Sequence, residues 1–174
     1  RLREALSRID KPIARPLADL ATQAVDWAAE PNLPGRLLRK ARFAFEHSDY
    51  MKAIILLYEG LVQAGLPPQD RGRALSDNAR GQAWNQLQAK VLPHEAATLD
   101  AVKMLRNCVA HASPPSGEQP VVNRVRAALD SSTKFAELFD AGARLLEKVM
   151  GVACNPAPPG PSPPSSPPPG PGGR

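Results

Sequence analysis

Apolar side chains recur every three to four residues along most of the chain, and no segment alternates as a half-buried strand does. Leu2, Leu6, Ile9 and Ile13 open this pattern, and Leu17, Leu20, Ala24 and Trp27 continue it, with Pro12 and Pro16 as interruptions. Residues 1–32 therefore read as an N-terminal helical segment, in two pieces or one kinked piece. After a break at Pro31 to Gly35, a helix is expected from Arg36 to Glu46, with Leu37, Leu38, Ala41 and Phe45 on one side. His47-Ser48-Asp49 is a tight connection, and Ser48 or Asp49 can cap the next helix through its side-chain oxygen.

The most apolar helix, Tyr50 to Ala64, should be central, and Gly65 should stop it. Leu66 to Asn78 reads as a long surface loop. Further helices are expected over Ala79–Val91, Glu95–His111, Val121–Leu129 and from a Ser131 or Ser132 cap to Met150. The strong Glu95–His111 helix has Leu99, Val102, Leu105 and Val109 on its core face. The predicted architecture is all-α, an antiparallel bundle of five to seven helices without internal repeats.

Composition changes the picture at the C-terminus. The chain has 174 residues and 20 prolines. Half of those prolines fall in residues 155–174, with little apolar surface among them. That segment is expected to be a disordered tail, because nothing in it offsets the entropy of ordering. Its PxxP-like runs suit an SH3-type partner, but a plain linker explains them as well. Residues 1–154 make one domain of ordinary size. The chain begins at Arg1 rather than Met, which suggests a piece of a longer protein with an upstream domain missing.

Several classes are excluded. The longest apolar run, Ala53 to Tyr58, is far below the roughly 18 residues of a membrane span, so no membrane partner is expected. Arg1 to Ile9 alternate charged and apolar side chains and hold no stretch of signal-peptide length. Cys108 and Cys154 make neither a disulfide scaffold nor a zinc site, and a cytoplasmic setting is expected. The sequence holds no glycine-rich phosphate loop, GxSxG elbow or HExxH. No cofactor and no metal are expected. A net charge of +5 permits a nucleic-acid partner without establishing one.

The informative stretch is Leu105-Arg106-Asn107-Cys108-Val109-Ala110-His111. Asn107 and His111, four apart, share a helix face away from the apolar stripe, and the long Arg106 side chain can reach round to them. A guanidinium, an amide and a titratable imidazole beside a Pro-rich loop suit a phosphodiester: arginine grips non-bridging oxygens and histidine moves a proton. The Arg-x4-His spacing alone is weak, since Arg42 and His47 repeat it with Phe43 in place of asparagine. His47 reads as a helix end and His94 as a residue without a role. His111 has its own structural alternative, as a helix cap donating to the last carbonyls. Arg106 has one too, as an exposed ion-pair partner of Glu95, Asp100 or Glu118. Cys108 is a small packing residue, because nothing supplies it with a base.

The Arg-Asn-x3-His motif near the end of a late helix resembles that of the HEPN ribonuclease superfamily. The likeness is strongest to the C-terminal HEPN domain of the CARF–HEPN effectors of type III CRISPR systems. Ala41 to Tyr50, followed by the apolar helix with Glu59, looks like that family's hairpin, Asp-Tyr and apolar-helix region, and the likeness spans about Leu33 to Met150. The resemblance implies an antiviral, metal-independent endoribonuclease that cleaves single-stranded RNA. It also implies a homodimer whose two motifs form one composite site. In such effectors cyclic oligoadenylate activates through an upstream sensor domain, which this chain lacks. Arg106 would stabilise the phosphate, His111 would handle the proton, and Asn107 would orient the pair. Lys103, Arg124 and Arg126 are candidate RNA contacts, or equally a solvated face, and Glu59 is a candidate partner of the motif arginine. The alternative function is a non-catalytic HEPN-like module for nucleotide binding or dimerisation.

Overall fold

The computed structural model describes residues 32–72 and 75–151, together with Ala21 and Glu30. The tail over 155–174 and nearly all of the expected N-terminal segment over 1–32 lie outside the described residues. The described residues form α1 (Leu33–Glu46), α2 (Tyr50–Gly65), a 3-10 turn (Pro68–Asp70), α3 (Asp77–Gln88), α4 (Pro93–His111), α5 (Pro120–Asp130) and α6 (Ser132–Val149). The all-α bundle expected from the periodicity is what the chain builds.

α2 is the central element and packs against α1, α3, α4 and α6. Its Ala53, Ile54, Leu57, Leu61 and Val62 are fully buried. Leu99, Val102 and Leu105 of α4 meet them, with Leu138, Phe139 and Leu146 of α6. Burying a large apolar side chain contributes about 1.5–3 kcal/mol, so this three-helix contact dominates the core. Gly142 of α6 lets the helices close. A Cβ there would stand 3.0 Å from both Leu57 of α2 and Val102 of α4.

Side-chain pairs give the helix directions. Lys148 donates to Glu95 at one end of α6, and Phe135 lies beside Val109 at the other, so α4 and α6 are antiparallel. Tyr58 of α2 meets Arg106, while Tyr50 shares a pocket with Val109, so α2 also opposes α4. The end of α1, the start of α2, the end of α4 and the start of α6 thus gather at one end of the bundle. An aromatic cluster closes that end: Phe45 stacks on Phe139 at 4.6 Å and meets Tyr50 edge-on at 5.4 Å.

The connections follow their sequence chemistry. Ser48 adopts a left-handed conformation (φ 60°), and Asp49 caps α2 by accepting from the Lys52 N–H at 3.1 Å. Ser131 caps α6 in the same way, accepting from Lys134. Gly65 is the last residue of α2, as expected, but its smallness has a second cause: a Cβ there would run into the Ala83 carbonyl of α3. The Leu66–Asn78 stretch is less of a free loop than its composition implies. Arg71 Nε donates to the Gln63 and Leu66 carbonyls, and the Gly72 N–H donates to Gln63 Oε1 at 3.0 Å. α3 then starts at Asp77 on a Ser76 cap.

Candidate functional site

α4 carries the motif, and its start is fixed by Pro93 in the first turn and by Glu95, whose carboxylate accepts from the Leu92 N–H at 2.9 Å. Its end is fixed by Ala112, which turns into the left-handed region at φ 49° while its N–H bonds to the Cys108 carbonyl. Ser113 N–H reaches the same carbonyl at 3.1 Å, and Ser113 Oγ donates to the His111 carbonyl. These bonds occupy the Cys108 and His111 carbonyls without using the His111 ring. The imidazole is exposed and makes no hydrogen bond among the described residues.

Asn107 and His111 line one shallow, open pocket of about 390 Å³, walled by Met104 and Cys108 of α4 and by Ser113 to Ser116 of the following loop. The helix periodicity places them together as expected. Arg126 of α5 braces that wall, donating to the Gly117 and Pro115 carbonyls and to Asn123. Burial pushes the Cys108 thiol up, which keeps it protonated at neutral pH, in keeping with a packing role.

Arg106 does not reach into that pocket. Its guanidinium lies over the Tyr58 ring, 5.0 Å from the centroid, on the flank of α4 that faces α2. One link back remains: Arg106 Nη1 donates to Asn107 Oδ1 at 3.0 Å. Asn107 thus joins the two halves of the motif, touching the arginine and sharing a pocket with the histidine. Arg106 Nε is buried without a hydrogen-bond partner. None of the three carboxylates considered as partners holds it. Glu95 binds Lys148 at 2.7 Å and Asp100 accepts from Gln88 Nε2 at 2.8 Å, while Glu118 forms no ion pair among the described residues.

Glu59 also departs from expectation. It pairs with Arg80 of α3 at 2.5 Å rather than with Arg106, whose guanidinium is seated on the Tyr58 ring. Its influence on the motif is indirect, through Tyr58. Burial pushes the Tyr58 phenol up, Arg106 and Arg80 pull it down, and Glu59 raises it.

The candidate RNA contacts are not gathered in one groove. Exposed Lys103 stands over the Trp84 ring of α3, 5.6 Å from its centroid. Arg124 donates to Thr98 near the start of α4, and Arg126 is committed to the loop. Tyr58 and Trp84 escaped the sequence reading, because nothing local marks a core aromatic as the support of a cation on another helix. The Arg42/His47 spacing brings nothing together: Arg42 binds Glu147 at 2.7 Å, and His47 Nδ1 lies 2.8 Å from the Phe43 carbonyl. His94 is the second residue of α4, exposed beside Arg144 and Lys148.

Among the described residues, no group of three or more His, Cys, Asp or Glu side chains is placed to hold a metal ion, and no helix is long and apolar enough to cross a membrane. Comparison with known proteins finds no matching family model, no matching curated protein and no matching solved structure.

Proposed function

We propose that the chain is a HEPN-type endoribonuclease domain that cleaves single-stranded RNA by attack of a 2′-hydroxyl on the adjacent phosphorus. The carrying observation is the exposed His111 imidazole, without a hydrogen-bond partner among the described residues, in an open pocket shared with Asn107, which is bonded to Arg106. In this reading His111 moves the proton of the attacking or leaving oxygen, Arg106 offsets charge building on the phosphate, and Asn107 sets their relation. RNA carries its own nucleophile, so the protein need only align it and supply charge complementarity.

One chain offers the histidine on one side of α4 and the arginine on another, which favours a composite site made by two copies. A surface suited to a second copy lies at the same end of the bundle as His111. Of the four large apolar side chains exposed among the described residues, Tyr50, Met51 and Leu129 line one pocket with Val109 and Phe135. The seating of Arg106 on Tyr58 also supports a second reading, a non-catalytic module that grips nucleic acid without cutting it.

Fluorescent single-stranded RNA incubated in EDTA separates the two. Cleavage that persists in EDTA and disappears in His111→Ala and in Arg106→Ala is the expected result. Variants that cut as well as the unaltered chain would remove these residues from the chemistry.

A further inference from the structure

Lys103 and Arg106 sit three residues apart on α4, hence on the same flank. Each is held against an aromatic ring of a different helix: Arg106 over Tyr58 of α2, and Lys103 over Trp84 of α3. The two rings touch, with centroids 5.2 Å apart, and both residues are buried. They form one small platform carrying two cations side by side.

No carboxylate pairs with the platform's cations among the described residues. Glu59 is paired with Arg80, and Asp100, one turn from Lys103, accepts from the neutral Gln88 amide. Neither Lys103 nor Arg106 makes an ion pair among the described residues. A ring face orients a cation through its quadrupole and leaves the net charge intact, whereas a carboxylate would cancel it. Arg106 spends Nη1 on Asn107 and has Nε buried, and its Nη2 has no partner among the described residues.

We infer that this Tyr58/Trp84 platform, with Lys103 and Arg106 upon it, is a binding site for the phosphodiester backbone of single-stranded RNA. It is set on the flank of α4 away from the same chain's His111 pocket, so that in a composite site the histidine acting on this strand is the second copy's. The inference rests on the reading of the chain as an RNA-engaging domain. It goes further in fixing how the strand is held: two adjacent phosphates on α4, with the motif asparagine between them and His111. The rings are covered by the cations, so bases do not stack on them, and recognition is of the backbone rather than of sequence. Tyr58 and Trp84 are positioning residues.

Fluorescence anisotropy with a labelled 2′-O-methyl oligouridine tests this, since that strand cannot supply a nucleophilic 2′-hydroxyl and binding is read apart from cleavage. For single strands the logarithm of affinity falls with the logarithm of salt by about 0.7 per phosphate contact. Lys103→Gln should flatten that slope by about 0.7, and the double variant Lys103→Gln/Arg106→Gln by about 1.4. Arg42→Gln should leave it unchanged. Tyr58→Leu should weaken binding, and Tyr58→Phe, which keeps the ring face, should restore it. A double variant with the original slope, or an unaltered chain that fails to bind, overturns the site. If the platform variants lose binding while the unaltered chain leaves an unmethylated RNA intact, the endonuclease reading falls and the phosphate site stands.

Discussion

The Asn107 side-chain oxygen accepts from Arg106 Nη1 at 3.0 Å, so two consecutive motif residues are tied side chain to side chain. An amide there holds the guanidinium without cancelling its charge. Asn107→Asp keeps an acceptor of the same shape and adds a negative charge beside the cation. It should reduce RNA affinity more than Asn107→Ala does, by titration at fixed ionic strength. Equal losses in the two variants would make the contact incidental.

The apolar patch of Tyr50, Met51 and Leu129 predicts self-association. Met51 is 58% exposed and Leu129 42%, so a charge at either site is easily solvated in a single copy. A charge buried without a partner at an interface is strongly unfavourable. Met51→Glu and Leu129→Glu should therefore shift the chain from dimer to monomer in sedimentation analysis, with helix content unchanged. A chain that is already monomeric at high concentration would remove the composite-site argument.

Two glycines give opposite expectations for stability. At Gly65 an added methyl group meets the Ala83 backbone of α3, which cannot give way as a flexible side chain would. Gly65→Ala should cost about 1–3 kcal/mol in urea unfolding. At Gly81, in the middle of α3, a Cβ meets nothing within 4 Å. Gly81→Ala should raise stability by about 0.5–1 kcal/mol through helix propensity.

Glu95 predicts an acid limb of stability. The hydrogen bond from Lys148, followed by that from the Leu92 N–H, holds its carboxyl below the ordinary value of 4.5. A carboxyl lowered in the folded state stabilises when ionised, so its contribution is complete above the unfolded value and fades as pH falls through the folded one. The difference in melting temperature between the unaltered chain and Glu95→Gln should be steady above about pH 5 and close below it. A difference that persists unchanged into strong acid would show that the side chain acts by packing instead.

The helices were legible because each buries one face, and the period of Leu99, Val102 and Leu105 declares that face without help from the rest of the chain. Three starts were read late, and for one physical reason. Pro34, Pro93 and Pro120 look like breaks in a sequence, yet each occupies the first turn of its helix, where the missing N–H is not needed. The pairing of Asn107 with His111 was equally legible, being a matter of helical spacing. The seat of Arg106 was not, because the side chain follows Tyr58, a residue that is remote in sequence and looks like ordinary core. Glu59 was misplaced for the converse reason, since its partner Arg80 stands on a helix whose position no local signal fixes.

The three-residue connection His47–Asp49 joins α1 to α2, which pack against each other. A short connection closes at small entropic cost, and this hairpin lies ahead of α4 in the chain. During vectorial synthesis it can assemble before the segment from Arg106 to His111 leaves the ribosome. The wall bearing Tyr58 is then in place when the arginine arrives, and α5 and α6 close the bundle afterwards.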